Sequence, residues 1–545
     1  MNKKLENISN KIPLREILIK FYSIPIYISG MMITPQKFIT KLFFITFISI
    51  FITTILLIFK IYFGILFIIP PILYAIIPYL EIIKRKNNCE RELPFVSTFL
   101  TMAATSSIPL SLTILNLSKL YSLKAFAKEA MRIEKIRKLY ALSPSDAIIF
   151  EAKNHPSEYT KSVLLTAISA QKSGESLYLI MKDEMIKSFS ILLSRLKILS
   201  DKFSLLASLQ IIIFIIIPMA MITLGVMFSG IIKPLFLTFI CIGLPCIFTP
   251  IMSYFIDLYF PKELTEPLNL LPFIISLSFI PIAIFIILKE VLFYSFPYIL
   301  AFLIIIFTIP IAIFYHSQRR KTKQILEALP TFSRSIAEKV KKGLSPTQAL
   351  LSINRDFNSI FNKILYKISI YIKGGLRIKE ASLIIKMPWI AHVYFELLDF
   401  AEQIGADPRA MEALSDLVNN IHSSIKSLSS QTSLFKFSCI INSIILPFVI
   451  SMVIEIVVKI FTNISSIIPY IPMEFSFITP ELLPIVKTIA YSGVILDAYL
   501  LGLIGGKISE GSIVDGLLMA LICVIIALIT LFIFVELKII NSIFY

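Results

Sequence analysis

Leu329-Pro330 opens a stretch that runs through Gly343-Leu344-Ser345-Pro346 to Leu350, and the same wording occurs earlier in the chain. Displaced by 236 positions, Leu93-Pro94 opens a segment reading through Thr98, Ala104 and Ser107-Ile108-Pro109 to Leu115. Later in both regions, Ala167-Ile168-Ser169-Ala170-Gln171-Lys172-Ser173-Gly174 lines up with Leu398-Asp399-Phe400-Ala401-Glu402-Gln403-Ile404-Gly405. Both segments lie between apolar runs, and each entering run ends in a burst of positive charge. Self-similarity at a long fixed spacing marks a repeated structural unit. The expectation is one helical domain, present twice, hung from one membrane scaffold.

Composition sets the class. Hydrophobic residues make up 57% of the 545, and only 16% are charged. Mean hydropathy is +0.84, far above a soluble globular chain. A net charge of +17 could point to nucleic acid. The basic residues gather beside apolar spans instead, as membrane topology requires, and no zinc-finger, RNP or helix-turn-helix signature accompanies them. No nucleic-acid partner is expected. Cys89, Cys241, Cys246, Cys439 and Cys523 lack metal or disulfide spacing and read as small apolar residues. The first forty residues are charged throughout and carry no cleavable signal pattern.

Crossing a bilayer takes about twenty apolar residues. Nine such spans are expected: Leu42–Phe59, Ile61–Ile83, Leu205–Phe228, Leu235–Tyr254, Leu271–Leu288, Val291–Tyr315, Phe437–Val458, Thr488–Ile504 and Leu517–Val535. Lys84-Arg85-Lys86 and Arg319-Arg320-Lys321 with Lys323 mark cytoplasmic exits of the second and sixth. Four spans separate the two repeats, so both face the cytoplasm in parallel rather than inverted fashion. The N-terminus shares that side, and the loop around Asn463–Pro484 and the C-terminus lie outside. The chain divides into a cytoplasmic segment 1–41, a hairpin 42–83, a soluble region 84–204, spans 205–315, a second soluble region 316–436 and spans 437–545. Both soluble regions read as helical, with apolar positions such as Ile325, Leu326, Leu329, Phe332, Ile336 and Val340 at helical spacing. Ser143-Pro144, Ser345-Pro346 and Asp407-Pro408 place a cap before a proline at the first helical position. The fold class is therefore all-α: a polytopic membrane protein with two duplicated cytoplasmic helical bundles.

The doubled Leu-Pro…Ser/Gly-x-x-Pro region, followed by Ala-x-x-x-Gly before long helices, resembles the type II secretion system F domain. That family comprises the membrane platform proteins of type II secretion systems, type IV pili and archaeal filaments. Gly502-Leu503-Ile504-Gly505-Gly506-Lys507-Ile508-Ser509-Glu510-Gly511-Ser512, continuing to Gly516-Leu517, resembles the turn between the last two spans in the archaeal branch. The resemblance covers most of the chain from about residue 84, and the N-terminal forty residues match nothing in the family. It implies a non-enzymatic platform in the cell membrane, a homodimer, without cofactor or metal. A hexameric secretion ATPase docks on its cytoplasmic domains, and pilin-like subunits leave the membrane at the filament base. The chain's own residues agree, since it has no Walker A motif, no His-Glu-x-x-His pair and no nucleophile elbow.

Individual residues carry plain and sharper readings. Lys84, Arg85, Lys86, Arg319, Arg320 and Lys321 set topology and meet anionic lipid; the sharper reading adds an acidic face of the ATPase, with Lys135, Arg137, Lys138, Lys341 and Lys342 contributing. Glu455 and Lys459 read as an interfacial ion pair. Asp497 falls mid-span, where a carboxylate is costly, so packing and a functional or assembly role both stand. Gly502 and Gly506 are spaced to admit a close helix or a second protomer; alternatively Gly505 and Gly506 end the helix. Lys507 and Glu510, flanked by Gly506 and Gly511, read as a cytoplasmic turn coupling the second soluble domain to the bundle. His155, His316, His392 and His422 lack ligand spacing. Asn463-Ile464-Ser465 is an acceptor sequon close to a span, which weighs against occupancy. The rival class is a solute transporter or channel, for which only Asp497 and the glycine cluster speak. A membrane-embedded glycosyltransferase stands third, because the loops are basic or short rather than acidic.

Overall fold

The computed structural model describes residues 14–31, 33–58, 69–106, 108–173, 176–227, 238–259, 296–354, 356–405, 407–464 and 482–536. Among these the regular structure is helical throughout, with no strand. The N-terminal part folds as α1 (Leu14–Ser29) and α2 (Pro35–Ile58). Next come α3 (Ile69–Ala103), α4 (Leu110–Asn116), α5 (Lys124–Tyr140), α6 (Pro144–Lys153), α7 (Glu158–Ser173) and α8 (Leu177–Ile211). A π-helical turn, Ile212–Ile216, carries α8 into α9 (Ile217–Met227), and α10 (Leu244–Tyr259) follows. A second run consists of α11 (Phe296–Lys341), α12 (Pro346–Ser352), α13 (Ser359–Lys373), α14 (Ile378–Ile384), α15 (Trp389–Gln403) and α16 (Pro408–Ile464). The chain closes with α17 (Leu482–Glu510) and α18 (Ile513–Leu531).

The runs α3–α8 and α11–α16 share order and neighbours. In each, the long first and last helices pack together, and the four middle helices pack successively onto one another. Starts of α4 and α12 lie 236 positions apart, and those of α7 and α15 lie 231 apart. Ser143 Oγ accepts from Asp146 N to open α6, and Ser345 forms a capping box with Gln348 to open α12, each before a proline, though at different places in the two runs. One local contact does recur. Gln171 on α7 accepts from Ser111 N on α4 at 3.0 Å, and Glu402 on α15 accepts from Thr347 on α12. The second run's core centres on Phe332, whose ring meets Phe357, Phe361, Tyr394 and Phe395 at centroid distances of 5.2 to 5.9 Å.

Five helical stretches are long and apolar enough to cross a membrane: Pro35–Thr54, Phe296–Lys341, Pro408–Ile456, Pro484–Ser509 and Ile513–Val535. Shorter apolar helices, Ser208–Leu224 and Ile240–Ile256, fall on the third and fourth expected spans. The expected span Leu271–Leu288 and the first part of Ile61–Ile83 lie outside the described residues. At 1.5 Å per residue the 46-residue α11 is about 70 Å long, more than twice the ~30 Å hydrocarbon layer. α16, with 57 residues, is longer still. Both therefore run unbroken from an apolar half into a helical unit. α17 and α18 pack on each other and on α11 and α16, with α10 against α17.

Candidate functional site

Three places gather the residues singled out by sequence. The first is a buried charge network where the N-terminal helix meets the first helical unit. Arg85, Cys89, Glu92 and Val96 share one face of α3, spaced four, three and four residues apart, and all are buried. The Arg85 guanidinium donates to Glu129 Oε1 at 2.8 Å and Oε2 at 2.6 Å, and to Glu151 Oε1 at 2.6 Å. Its remaining nitrogen donates to Ile28 O of α1 at 2.6 Å. Arg132 adds a contact to Glu151 at 3.3 Å. Arg85 is thus an internal strut and not a surface charge for lipid or a partner; its helical register turns it inward. Lys84 and Lys86, its neighbours, are exposed, and Lys84 pairs with Glu81 at 2.8 Å.

Cys89, Glu129 and His155 bring one potential ligand atom each within 4.8 Å of one another. Sequence spacing gave no hint of this, because two helices and a loop contribute. Burial pushes the His155 imidazole down to about 4 and the Cys89 thiol well up. Burial opposes ionisation of Glu129, but the bonds from Arg85 outweigh it and hold the carboxyl below its ordinary value. Both Glu129 oxygens are already taken by Arg85, which supplies the positive charge a metal would bring. The two arginines, Arg85 and Arg132, balance Glu129 and Glu151. This donor set does not fit a metal ion.

The second place joins the two helical units. Glu396, buried on α15, accepts from the backbone N–H groups of Tyr121 at 2.8 Å and Ser122 at 3.0 Å. Lys379 pairs with the same carboxylate at 3.1 Å and donates to Lys119 O at 2.6 Å. Trp389 Nε1 donates to Ser122 O at 2.7 Å, and its ring meets Phe95 edge-on. Phe99 packs on Phe400 at 4.0 Å. Apart from Phe400, which lies in the repeated segment, none of these residues stood out in the sequence: a carboxylate at an apolar helix position was the available signal.

The third place is the bundle core. The Gly502 and Gly506 positions face α18 of the same chain: a Cβ on Gly502 would strike the Ala520 backbone, and one on Gly506 would strike Gly516. Gly505 is pressed against Cys439 of α16. These glycines do not end the helix, which continues to Glu510, and the seam they form is filled within one chain. The turn itself is Gly511, at φ 86, followed by Ser512, whose Oγ accepts from Val514 N to cap α18. Lys507 is not on that turn. It is buried in α17, donating to Ser253 O at 2.7 Å and Ser253 Oγ at 2.6 Å on α10. Asp497 is buried in the same helix, and its Oδ1 has no hydrogen-bond partner among the described residues. Glu510 is the last residue of α17.

The expected docking cations are dispersed. Lys135, Lys138, Arg320, Lys321, Lys341 and Lys342 are exposed and Arg319 half-buried. Arg137 and Lys138 both pair with Glu134, at 2.7 and 3.5 Å, and Lys341 lies 3.9 Å from Glu412. Compared with protein-family profiles, curated proteins and solved structures, the chain matches none.

Proposed function

We propose that this chain is a multi-pass platform protein of the cell membrane, built from two copies of one helical domain, on which a hexameric secretion ATPase acts to insert pilin-like subunits into a filament. The observation that carries the reading is the pair of continuous helices α11 and α16. Each belongs to a helical unit over one half and to the apolar bundle over the other. A force applied to the unit is delivered along one continuous helix into the bundle, with no loop to absorb it, although Pro310 and Pro330 in α11 and Pro447 in α16 lie within these helices. Repeated helix order and the Gln171 and Glu402 bridges support descent of the two units from one domain. Both units lie on the cytoplasmic side in this reading, following the exposed cations at 84, 86, 320 and 321. Lys507 is the coupling residue: bonded to Ser253, it ties α17 to α10 inside the bundle.

One observation favours a solute transporter, namely the unpartnered Asp497 oxygen. A transport site also needs several polar groups and broken helices converging at mid-depth, whereas α17 runs unbroken past Asp497.

Affinity purification of the full chain from its native membranes tests the platform. Co-purification of a hexameric ATPase is expected, and changing Lys135, Lys341 and Lys342 together to Gln should lower its recovery several-fold at 0.1 M salt. The effect should shrink in 1 M salt, where the Debye length falls from about 10 to about 3 Å. Equal recovery removes electrostatics from docking. Absence of an ATPase, with surface filaments intact in a deletion strain, refutes the platform.

A further inference from the structure

α1 has two apolar faces and only one of them is packed. Tyr22 and Ile26 are buried against Phe38 and Ile39 of α2 and Tyr74 of α3, and Tyr22 Oη donates to Ala75 O at 3.3 Å. On the other side Ile17, Phe21 and Ile24 recur at four and three residues, one stripe of a helix, and are 66%, 60% and 66% exposed. Tyr27 continues the stripe. Lys20 stands exposed beside it, as do Lys37 and Lys41 at the start of α2. The helix cannot swing freely: Arg85 holds Ile28 O. Gly30, at φ 78, lies so close to the Arg132 guanidinium that a Cβ there would collide with it.

We infer that α1 is an interfacial anchor whose Ile17–Phe21–Ile24 face lies in the lipid headgroup–acyl boundary, bolted at its C-terminal end to the first helical unit through Arg85. The inference rests on reading Pro35–Thr54 as a membrane span. That span begins six residues after α1 ends, so the exposed stripe sits where the chain enters the membrane. Large apolar side chains in a contiguous row have little reason to face water. Flanking lysines suit anionic headgroups, and tyrosine suits the interface. An interfacial helix of this kind places its apolar face ~5–10 Å into the boundary. Lipid is the occupant that all these features share.

The test uses the full chain in nanodiscs of phosphatidylcholine and phosphatidylglycerol. Cys246, the exposed native cysteine, is changed to Ser, and an environment-sensitive nitrobenzoxadiazole dye is placed at Phe21→Cys, Ile24→Cys or, as a span reference, Phe47→Cys. Phe47 is 71% exposed within Pro35–Thr54. Dyes at 21 and 24 should emit at blue-shifted wavelength. Lipids brominated near the carbonyl end should quench them by about twofold, more than lipids brominated at the chain end, given the ~5–10 Å depth. The dye at 47 should be quenched by lipid as well. Lipid quenching at 47 with water-like emission at 21 and 24 overturns the anchor and leaves the span standing. Blue-shifted emission at 21 and 24 that no bromolipid quenches means a protein covers the face, which also overturns it. Failure of quenching at 47 removes the span, and the anchor with it.

Discussion

Ala141 closes α5 at φ 50 and ψ 37, a left-handed conformation that a side chain with a Cβ adopts at a cost of about 1–2 kcal/mol. At the matching place after α13 stands Gly375, at φ 91. Both turns are closed by the same bond, Leu142 N to Arg137 O and Leu376 N to Tyr371 O, each at 3.1 Å. One geometry is therefore carried by the suited residue in the second unit and by a strained one in the first. Ala141→Gly should stabilise the first unit by roughly 0.5–1 kcal/mol, after glycine's own entropy cost, and Gly375→Ala should destabilise the second by a similar amount. Urea unfolding of the detergent-solubilised chain, followed by proteolytic susceptibility of each unit, checks the opposed signs. The similar course of the two runs is marked at this scale by the Leu93-Pro94 and Leu329-Pro330 pairs, 236 positions apart. The role of Arg85 was not legible: three consecutive cations in sequence look alike, and only the register of α3 against α5 and α6 separates the buried strut from its exposed neighbours.

Between elements, the small residues decide how near α17 can come to α18. Gly506 and Gly516 meet backbone to backbone, with Gly502 against Ala520 one turn away. Spacing alone announced a close helix approach and left open whether the approaching helix came from this chain or another. Because the seam is already occupied, Gly506→Ala should cost about 1–3 kcal/mol by overpacking, visible as a lower thermal midpoint in detergent. Gly506→Leu should abolish accumulation of folded protein. Cysteines introduced across the seam should crosslink within one chain. A crosslinked dimer in their place would show that the seam opens to a second protomer. Helix lengths were legible less fully. Five of the expected apolar runs coincide with helices long and apolar enough to cross a membrane, yet the sequence did not announce that α11 and α16 continue without a break into the helical units, since polar and apolar halves of one helix look like separate segments.

At the scale of the molecule, two runs with the same helix order make a dissimilar pair. Glu396 and Trp389 bind the first unit, and the corresponding α7 positions carry Leu165 and Glu158, which make no such contact among the described residues. The two runs thus present different faces, one of which is consumed in joining them. Glu396→Gln replaces one acceptor with a donor facing a backbone N–H and weakens the tie to Lys379, so the interface should lose about 1–3 kcal/mol. Spin-label distances between the exposed positions 138 and 342 should broaden in that variant and stay narrow in the parent; unchanged distributions would place the stability of the junction in the aromatic contacts alone. By itself the sequence determined the helical class, the apolar helices and the capped helix starts, because each of these depends on residue type at short spacing. Tertiary structure alone decided what those elements face: Arg85 turned inward to Glu129 and Glu151, Lys507 to Ser253, the glycine seam to α18, and Glu396 to the other unit. Such partners lie tens to hundreds of residues apart, and no local pattern encodes which buried donor will meet which acceptor.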